Sequence, residues 1–159
     1  MVRTFDILSA KVLIVDDQEA DVLLLERMLR GAAYTCIQST MDPREVCELH
    51  RQNHFAAILL DLKMPGVDGF KVMDELKEIE TDFNLPVLVV TAEPGEKLRA
   101  LRAGARDFVS KPLVLAEVLM RLHNTIEDRL LHVEMKRFYS HIVEELQLVT
   151  LDGTAARAV

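Results

Sequence analysis

The chain has no tryptophan, and aromatic residues make up only 5% of its 159 residues. A core must therefore be built mainly from Leu, Val, Ile, Met and Ala. Because half of the residues are hydrophobic, the chain is not a disordered one. The two cysteines, Cys36 and Cys47, have a spacing that matches no metal or redox motif. We expect them to be reduced thiols packed in or near the core.

The sequence also lacks a surplus of basic residues and a long apolar run. Its formal net charge of −7 argues against non-specific nucleic-acid binding, which depends on a clustered basic surface. No apolar stretch is long enough to cross a bilayer, and the first residues do not form a signal peptide. These absences predict a cytoplasmic protein that binds neither nucleic acid nor membrane.

Short apolar runs alternate with helical patterns along the chain. Five runs are predicted strands: residues 11–15, 34–39, 55–60, 86–90 and 106–109. Each is followed by a helical pattern, and the last of these is a long helix. Such alternation predicts an α/β fold with a doubly wound, five-stranded parallel sheet, (βα)5.

Polar side chains stand where the predicted strands end. Asp16 and Asp17 close the first run, Asp61 the third and Thr91 the fourth, and Lys111 follows the fifth. The carboxyl ends of parallel strands meet at one edge of a sheet, which is where such sheets bind ligands. Clustered carboxylates with a nearby ammonium suit Mg²⁺ and phosphoryl transfer, with Asp61 as the nucleophile.

Other interpretations of these residues stay open at this point. A strand-end Asp or Thr often only caps the next helix. A phosphohydrolase of the HAD-like type would also use an Asp nucleophile and Mg²⁺, but it needs a second Asp two residues later, where this chain has Lys63. A third alternative is a stand-alone dimerisation module with a vestigial site.

Four motifs resemble the receiver (CheY-like) domain of two-component response regulators. They are VLIVDDQ (12–18), LLDLKMPGVDGF (59–70), VLVVTA (87–92) and GARDFVSKPL (104–113). The resemblance covers residues from about 9 to 128. It implies a flavodoxin-like fold and a switching module, with no enzymatic output in this chain.

The resemblance also implies roles for particular residues. Asp61 would accept a phosphoryl group from a phosphohistidine on a histidine kinase or a phosphotransfer protein. Asp16, Asp17 and Asp61 would hold Mg²⁺ together with the backbone carbonyl of Lys63.

The same resemblance implies a set of residues that respond to the phosphoryl group. Thr91 matches the hydroxyl that moves toward it, Lys111 the ammonium that pairs with it, and Phe108 the aromatic that turns inward. The Lys111–Pro112 bond is a candidate for a cis peptide.

Two loops beside these residues carry further expectations. Gly66 and Gly69 lie in a loop that turns sharply after the third strand, where positive φ is expected. Lys63 and Glu93 each follow a site residue by two positions, and we hypothesise that this pair changes the lifetime of an aspartyl-phosphate. His50 is expected at the surface.

The C-terminal part of the chain extends beyond a receiver. We divide the chain into a receiver (1–128), a helical extension (129–149) that serves as a dimerisation or output-linking segment, and a disordered tail (150–159). The extension has an apolar stripe at Leu131, Met135, Phe138, Ile142, Leu146 and Val149. We expect a homodimer through this helix; the alternatives are a helix folded back on the receiver or a separate helix after a kink.

Overall fold

A computed structural model of the chain describes residues 1–81 and 85–155. A short helix α1 (Thr4–Leu8) precedes β1 (Val12–Val15), α2 (Glu19–Gly31) and β2 (Ile37–Thr40). A 3-10 turn (Pro43–Glu45) leads into α3 (Val46–Asn53), which is followed by β3 (Ala57–Asp61) and by the two short strands β4 (Lys63–Met64) and β5 (Val67–Asp68). Then come α4 (Gly69–Ile79), β6 (Val87–Thr91), α5 (Glu96–Arg102), β7 (Asp107–Ser110) and α6 (Leu115–Ala155).

Five strands form one parallel sheet in the order β2-β1-β3-β6-β7. The central strands β1, β3 and β6 are buried along their whole length, which explains their continuous apolar sequences. The predicted second strand begins too early. Thr35 belongs to the connection from α2, and its amide donates to the Leu8 carbonyl of α1.

Helices cover both faces of the sheet. On one face, α1, α2 and α6 bury Ile7, Leu25 and Leu122 against the strands. On the other face, α3, α4 and α5 contribute Val46, Met73, Leu76 and Ala100 to a second apolar cluster. The predicted doubly wound five-stranded parallel fold with a long C-terminal helix is confirmed.

The hairpin β4–β5 replaces what the sequence indicates as a loop. Its turn contains Gly66, which has the expected positive φ of 79°. Gly69 lacks a positive φ and serves another purpose, because a Cβ there would lie 2.8 Å from the Leu62 Cα. The absence of a side chain at Gly69 therefore lets α4 begin directly against the end of β3. The Lys111–Pro112 peptide is cis, as expected.

Helix α6 is continuous from Leu115 to Ala155 and has no break at Leu130–Leu131. The prediction of a disordered tail is therefore wrong for residues 150–155, where the helix continues and the Thr150 hydroxyl donates to the Leu146 carbonyl. The rest of the predicted tail, residues 156–159, lies outside the described residues.

Two smaller expectations are corrected by the burial of side chains. Cys47 packs against the core as expected, but Cys36 is exposed. His50 is fully buried rather than at the surface. Within residues 1–81 and 85–155, no helix has the length and apolarity that a membrane span requires.

Candidate functional site

Three carboxylates meet at the carboxyl edge of the sheet. Asp16 follows β1 directly and Asp61 ends β3, and these neighbouring parallel strands pair Val15 with Leu60. One carboxylate oxygen each of Asp16, Asp17 and Asp61 lies within 4.8 Å of the other two. Asp16 is 1% exposed and Asp61 5% exposed, so the cluster lies mostly out of solvent.

Backbone amides orient two of these carboxylates. The Gln18 amide donates to Asp16 Oδ1 at 2.9 Å, and the Lys63 amide donates to Asp61 Oδ1 at 3.1 Å. Asp17 Oδ1 is buried, and no donor in residues 1–81 or 85–155 reaches it. A buried carboxylate oxygen without a donor, beside two more carboxylates, fits a hard cation such as Mg²⁺.

The ammonium of Lys111 lies among carboxylates at the same edge. Its Nζ is 2.9 Å from Asp21 Oδ2, 3.1 Å from Asp16 Oδ2 and 3.4 Å from Asp61 Oδ2. Burial alone would lower the pKa of this ammonium. The hydrogen bonds to Asp21 and Asp16 and the negative charge of Asp61 outweigh burial and raise the pKa above its usual range. Lys111 is therefore a permanent positive charge beside Asp61.

The Asp61 carboxyl has a perturbed acidity. Burial and the negative charge of Asp16 raise its pKa from 3.8 to about 6, against the opposing hydrogen bond from the Lys63 amide and the charge of Lys111. The carboxyl is therefore mainly ionised at neutral pH. A cation bound among the carboxylates would lower this raised pKa.

Thr91 lies at the end of β6, one residue after Val90, which pairs with Asp61 of β3 in the sheet. Its hydroxyl donates to Glu96 Oε2 at 2.9 Å and accepts from the Glu93 amide at 3.1 Å. The Glu93 side chain forms an ion pair with Lys63. The Lys111 amide donates to the Thr91 carbonyl, which ties the ends of β6 and β7 together. The predicted Lys63–Glu93 pair therefore exists as a contact between the two loops that border the site.

Phe108 lies farther along β7. It pairs with Val89 in the sheet, two residues before Thr91. The ring is half-buried, with the Lys97 ammonium 4.8 Å and the Arg121 guanidinium 5.0 Å from its centroid. Phe108 thus lies between Lys97 of α5 and Arg121 of α6 and packs against the apolar cluster beneath α3, α4 and α5.

The structure brings Asp16, Asp17, Asp61 and Lys111 together and places Thr91 at the same edge, as the strand-end pattern predicts. It adds two acidic residues that sequence reasoning missed, Asp21 and Glu96. Both lie in the first turn of a helix that follows a site strand. Acidic residues favour the first turn of a helix. Asp21 follows Asp17 by four residues and Glu96 follows Thr91 by five, and these spacings were the available signal in the sequence.

Comparisons with known proteins agree with this geometry. A family model described as the response regulator receiver domain matches residues 12–123. The chain is 35% identical over 132 residues to the response regulator PleD of Caulobacter vibrioides, a match that covers 82% of this chain and 29% of PleD. The chain thus spans less than a third of the length of that relative.

Two solved structures share the fold. The chemotaxis protein CheY4 of Vibrio cholerae has a TM-score of 0.67 at 27% identity, covering 74% of this chain and 98% of that one. The receiver domain of a sensor histidine kinase from Pseudomonas aeruginosa has a TM-score of 0.67 at 26% identity, covering 75% and 98%. That receiver has a magnesium ion coordinated in its active site cleft.

These matches confirm the resemblance noted in the sequence motifs. They give no support to a phosphohydrolase or to a vestigial dimerisation module. The chain belongs to the response regulator receiver domain family.

Proposed function

We propose that this receiver takes a phosphoryl group onto Asp61 and switches in response. The observation that carries the proposal is the contact set of Asp61: a buried carboxylate within 4.8 Å of the Asp16 and Asp17 carboxylates and 3.4 Å from the Lys111 ammonium. The donor is a phosphohistidine on a histidine kinase or a phosphotransfer protein. Such a donor implies the cytoplasmic location that the sequence predicts.

The transfer is a displacement at phosphorus. An Asp61 oxygen forms a bond to phosphorus while the bond from phosphorus to the donor imidazole nitrogen breaks. The electron pair stays with that nitrogen, which then takes up a proton. The Lys63 amide holds one Asp61 oxygen and Lys111 lies beside the other, so the carboxylate is oriented before the donor arrives.

The carboxylate cluster is suited to Mg²⁺. The carboxylates of Asp16, Asp17 and Asp61 and the backbone carbonyl of Lys63 would hold the ion. When bound, Mg²⁺ supplies positive charge that offsets the carboxylates and attracts phosphoryl oxygens. Without such charge, Asp16 and Asp17 would repel the incoming phosphoryl group.

Phosphorylation then requires existing contacts to change. A phosphoryl group brings a charge of about −1.5 to −2 and three acceptor oxygens to Asp61. Lys111 turns toward it from Asp21, Thr91 leaves Glu96, and Phe108 turns into the space that Thr91 vacates. These movements pass the signal to the surface formed by α5, β7 and α6.

Intact mass after incubation with Mg²⁺ and acetyl phosphate tests this proposal. The native chain should gain one phosphoryl group, Asp61→Asn should gain none, and EDTA should abolish the gain. Asp74→Asn is the matched control, because it makes the same change at an exposed carboxylate on α4. Equal labelling of the native chain and Asp61→Asn would contradict the assignment, as would no labelling of the native chain.

We further propose that residues 129–149 of α6, beyond the receiver of residues 1–128, pair with a second copy of the chain. Leu131 follows the fully buried Leu122 by nine residues, about two and a half helical turns, so the two point to opposite sides of α6. Val149 comes about five turns after Leu131 and returns to the same side. The apolar stripe thus faces away from the sheet.

This placement favours a second copy as the partner. The stripe residues are between 38% and 69% exposed, at Leu131, Met135, Phe138, Ile142, Leu146 and Val149. A second α6 can lie along this face without meeting the sheet of either receiver, because both receivers are on the far sides of their helices. The stripe is about 27 Å long at 1.5 Å per residue, which is sufficient for two to three heptads of packing.

Sedimentation velocity of two matched variants tests the pairing. Ile142→Glu places a charge in the stripe and should give a monomer. Ser140→Glu places the same charge two residues away on the opposite side of α6 and should stay a dimer. A dimer that survives Ile142→Glu but not Ser140→Glu would contradict the proposed face.

A further inference from the structure

Asp21 is the nearest carboxylate to Lys111. It lies in the first turn of α2, and its Oδ2 is 2.9 Å from the Lys111 Nζ, closer than Asp16 at 3.1 Å or Asp61 at 3.4 Å. Its side chain is 31% exposed, whereas those of Asp16 and Asp61 are 1% and 6% exposed. Asp21 is also not one of the three carboxylates that converge closely enough to share a cation.

These contacts use the hydrogen-bonding capacity of the ammonium. A lysine ammonium has three donors, and Lys111 has three carboxylate partners, Asp16, Asp21 and Asp61. A phosphoryl group on Asp61 takes over the Asp61 contact, and the ammonium can donate to a second phosphoryl oxygen only by leaving Asp16 or Asp21. Asp16 belongs to the proposed metal set, so the contact that can be given up is the one to Asp21.

We propose that Asp21 is a positioning residue that holds Lys111 back in the unphosphorylated receiver and so weakens the hold of the site on a phosphoryl group. The proposal rests on the proposed function of Asp61. Two effects of Asp21 both weaken the binding of a phosphoryl group, one through Lys111 and one directly. It competes for the ammonium by a charge-assisted hydrogen bond, and its own negative charge repels the phosphoryl oxygens.

Asp21→Asn separates this role from a structural one. Asn keeps the shape of the side chain but removes its charge, so Lys111 is freed for the phosphoryl group. The matched control is Glu19→Gln, which removes one negative charge from the same exposed first turn of α2. Glu19 is exposed, and the Lys111 ammonium donates instead to Asp16, Asp21 and Asp61.

The experiment is a titration with beryllofluoride, an anion that binds a carboxylate as a phosphoryl group does, followed by fluorine NMR at saturating Mg²⁺. Asp21→Asn should bind beryllofluoride about fivefold to tenfold more tightly than the native chain, as expected for release of a charge-assisted hydrogen bond. Glu19→Gln should change the affinity less than about twofold, because its charge is exposed and screened. A purely structural role for Asp21 would lower the unfolding midpoint without tightening this affinity.

Two outcomes overturn the inference while leaving the proposed function intact. In the first, the native chain binds beryllofluoride and Asp21→Asn binds it no more tightly. In the second, Asp21→Asn and Glu19→Gln tighten it equally, so that the effect is one of general charge. Failure of the native chain to bind beryllofluoride and to gain phosphate would instead remove the proposed function and the inference together.

Discussion

Replacing Asp61 by Asn should make the receiver more stable at neutral pH in the absence of divalent cations. The folded protein keeps the Asp61 carboxylate among other carboxylates and largely out of water, so its pKa rises from 3.8 to about 6. A difference of about two pKa units corresponds to about 3 kcal/mol. This difference already includes the attraction of Lys111. Because the Asn amide is still a polar group that has to be buried, we expect a gain of about 2 kcal/mol.

The dependence on pH follows from the direction of the change. Below pH 3.8 Asp61 is protonated in both the folded and the unfolded state, so its ionisation does not change the free energy of unfolding. Between pH 3.8 and about 6 the unfolded state loses the Asp61 proton while the folded state keeps it, so the stability falls as the pH rises, and above about 6 the buried carboxylate has its full cost. The advantage of Asp61→Asn should therefore grow between pH 4 and pH 7 and stay constant above that.

Urea unfolding in EDTA, followed by circular dichroism, measures this effect. With a slope of about 2 kcal/mol per molar urea, the midpoint of Asp61→Asn should rise by about 1 M at pH 7.5. Mg²⁺ should raise the midpoint of the native chain more than that of the variant, because binding stabilises the folded state. The control Asp74→Asn should stay within about 0.5 kcal/mol of the native chain. An unchanged or lower midpoint for Asp61→Asn in EDTA would refute the electrostatic reasoning.

Three further variants test other contacts of the receiver. Replacing Lys63 and Glu93 together by Ala should shorten the half-life of the phosphorylated protein severalfold, because their ion pair joins two loops that limit access of water to the site. The half-life is measured by loss of the phosphoryl mass, and an unchanged half-life would remove that role. Arg129→Ala should lower the free energy of unfolding by about 2 kcal/mol at pH 7, because Arg129 pairs at 2.6 Å with Glu80, and both side chains are only 13% exposed. The hydrogen bond with His50 and, after it, the one with Arg129 lower the pKa of Glu80 from 4.5 to about 2. The contribution of Glu80 is therefore present above pH 4.5 and lost as the pH falls toward 2. In Arg129→Ala this acid-dependent loss of stability, measured by urea unfolding, should be smaller but not absent, because the His50 contact remains. Gly69→Ala should cost about 2 kcal/mol in the same assay, because a Cβ there would lie 2.8 Å from a backbone Cα, and a variant of native stability would show that α4 can shift.

The strand ends were predictable because burial on both faces makes each strand a continuous apolar run. A polar residue that closes such a run marks the edge of the sheet. That rule located Asp61 and Thr91 correctly at the ends of β3 and β6. Asp21 was missed because acidic residues are common in the first turn of a helix, so its position does not single it out until the fold places Lys111 next to it.

Long-range pairing explains the other differences. His50 is polar by type, but the fold buries it where its Nε2 lies 2.7 Å from Glu80 and its Nδ1 accepts from the Phe55 amide. Glu80 is thirty residues away in the sequence, so this pairing cannot be inferred from local periodicity. Helix α1 and the β4–β5 hairpin are too short to show a period at all. The predicted end of α6 was too early because Gly153 and its small neighbours are typical of a frayed helix end. In the structure the helix continues through Gly153 to Ala155.

Locating the phosphoryl group on the chain is the direct test of Asp61 as the phosphate acceptor. After incubation with Mg²⁺ and a phosphohistidine or acetyl phosphate donor, borohydride reduction converts an aspartyl-phosphate into homoserine, and peptide mapping identifies the position. Homoserine should appear at residue 61 in place of Asp61, and at no other carboxylate of the cluster. Homoserine at Asp16 or Asp17, or none in a chain that has gained phosphate, would contradict it.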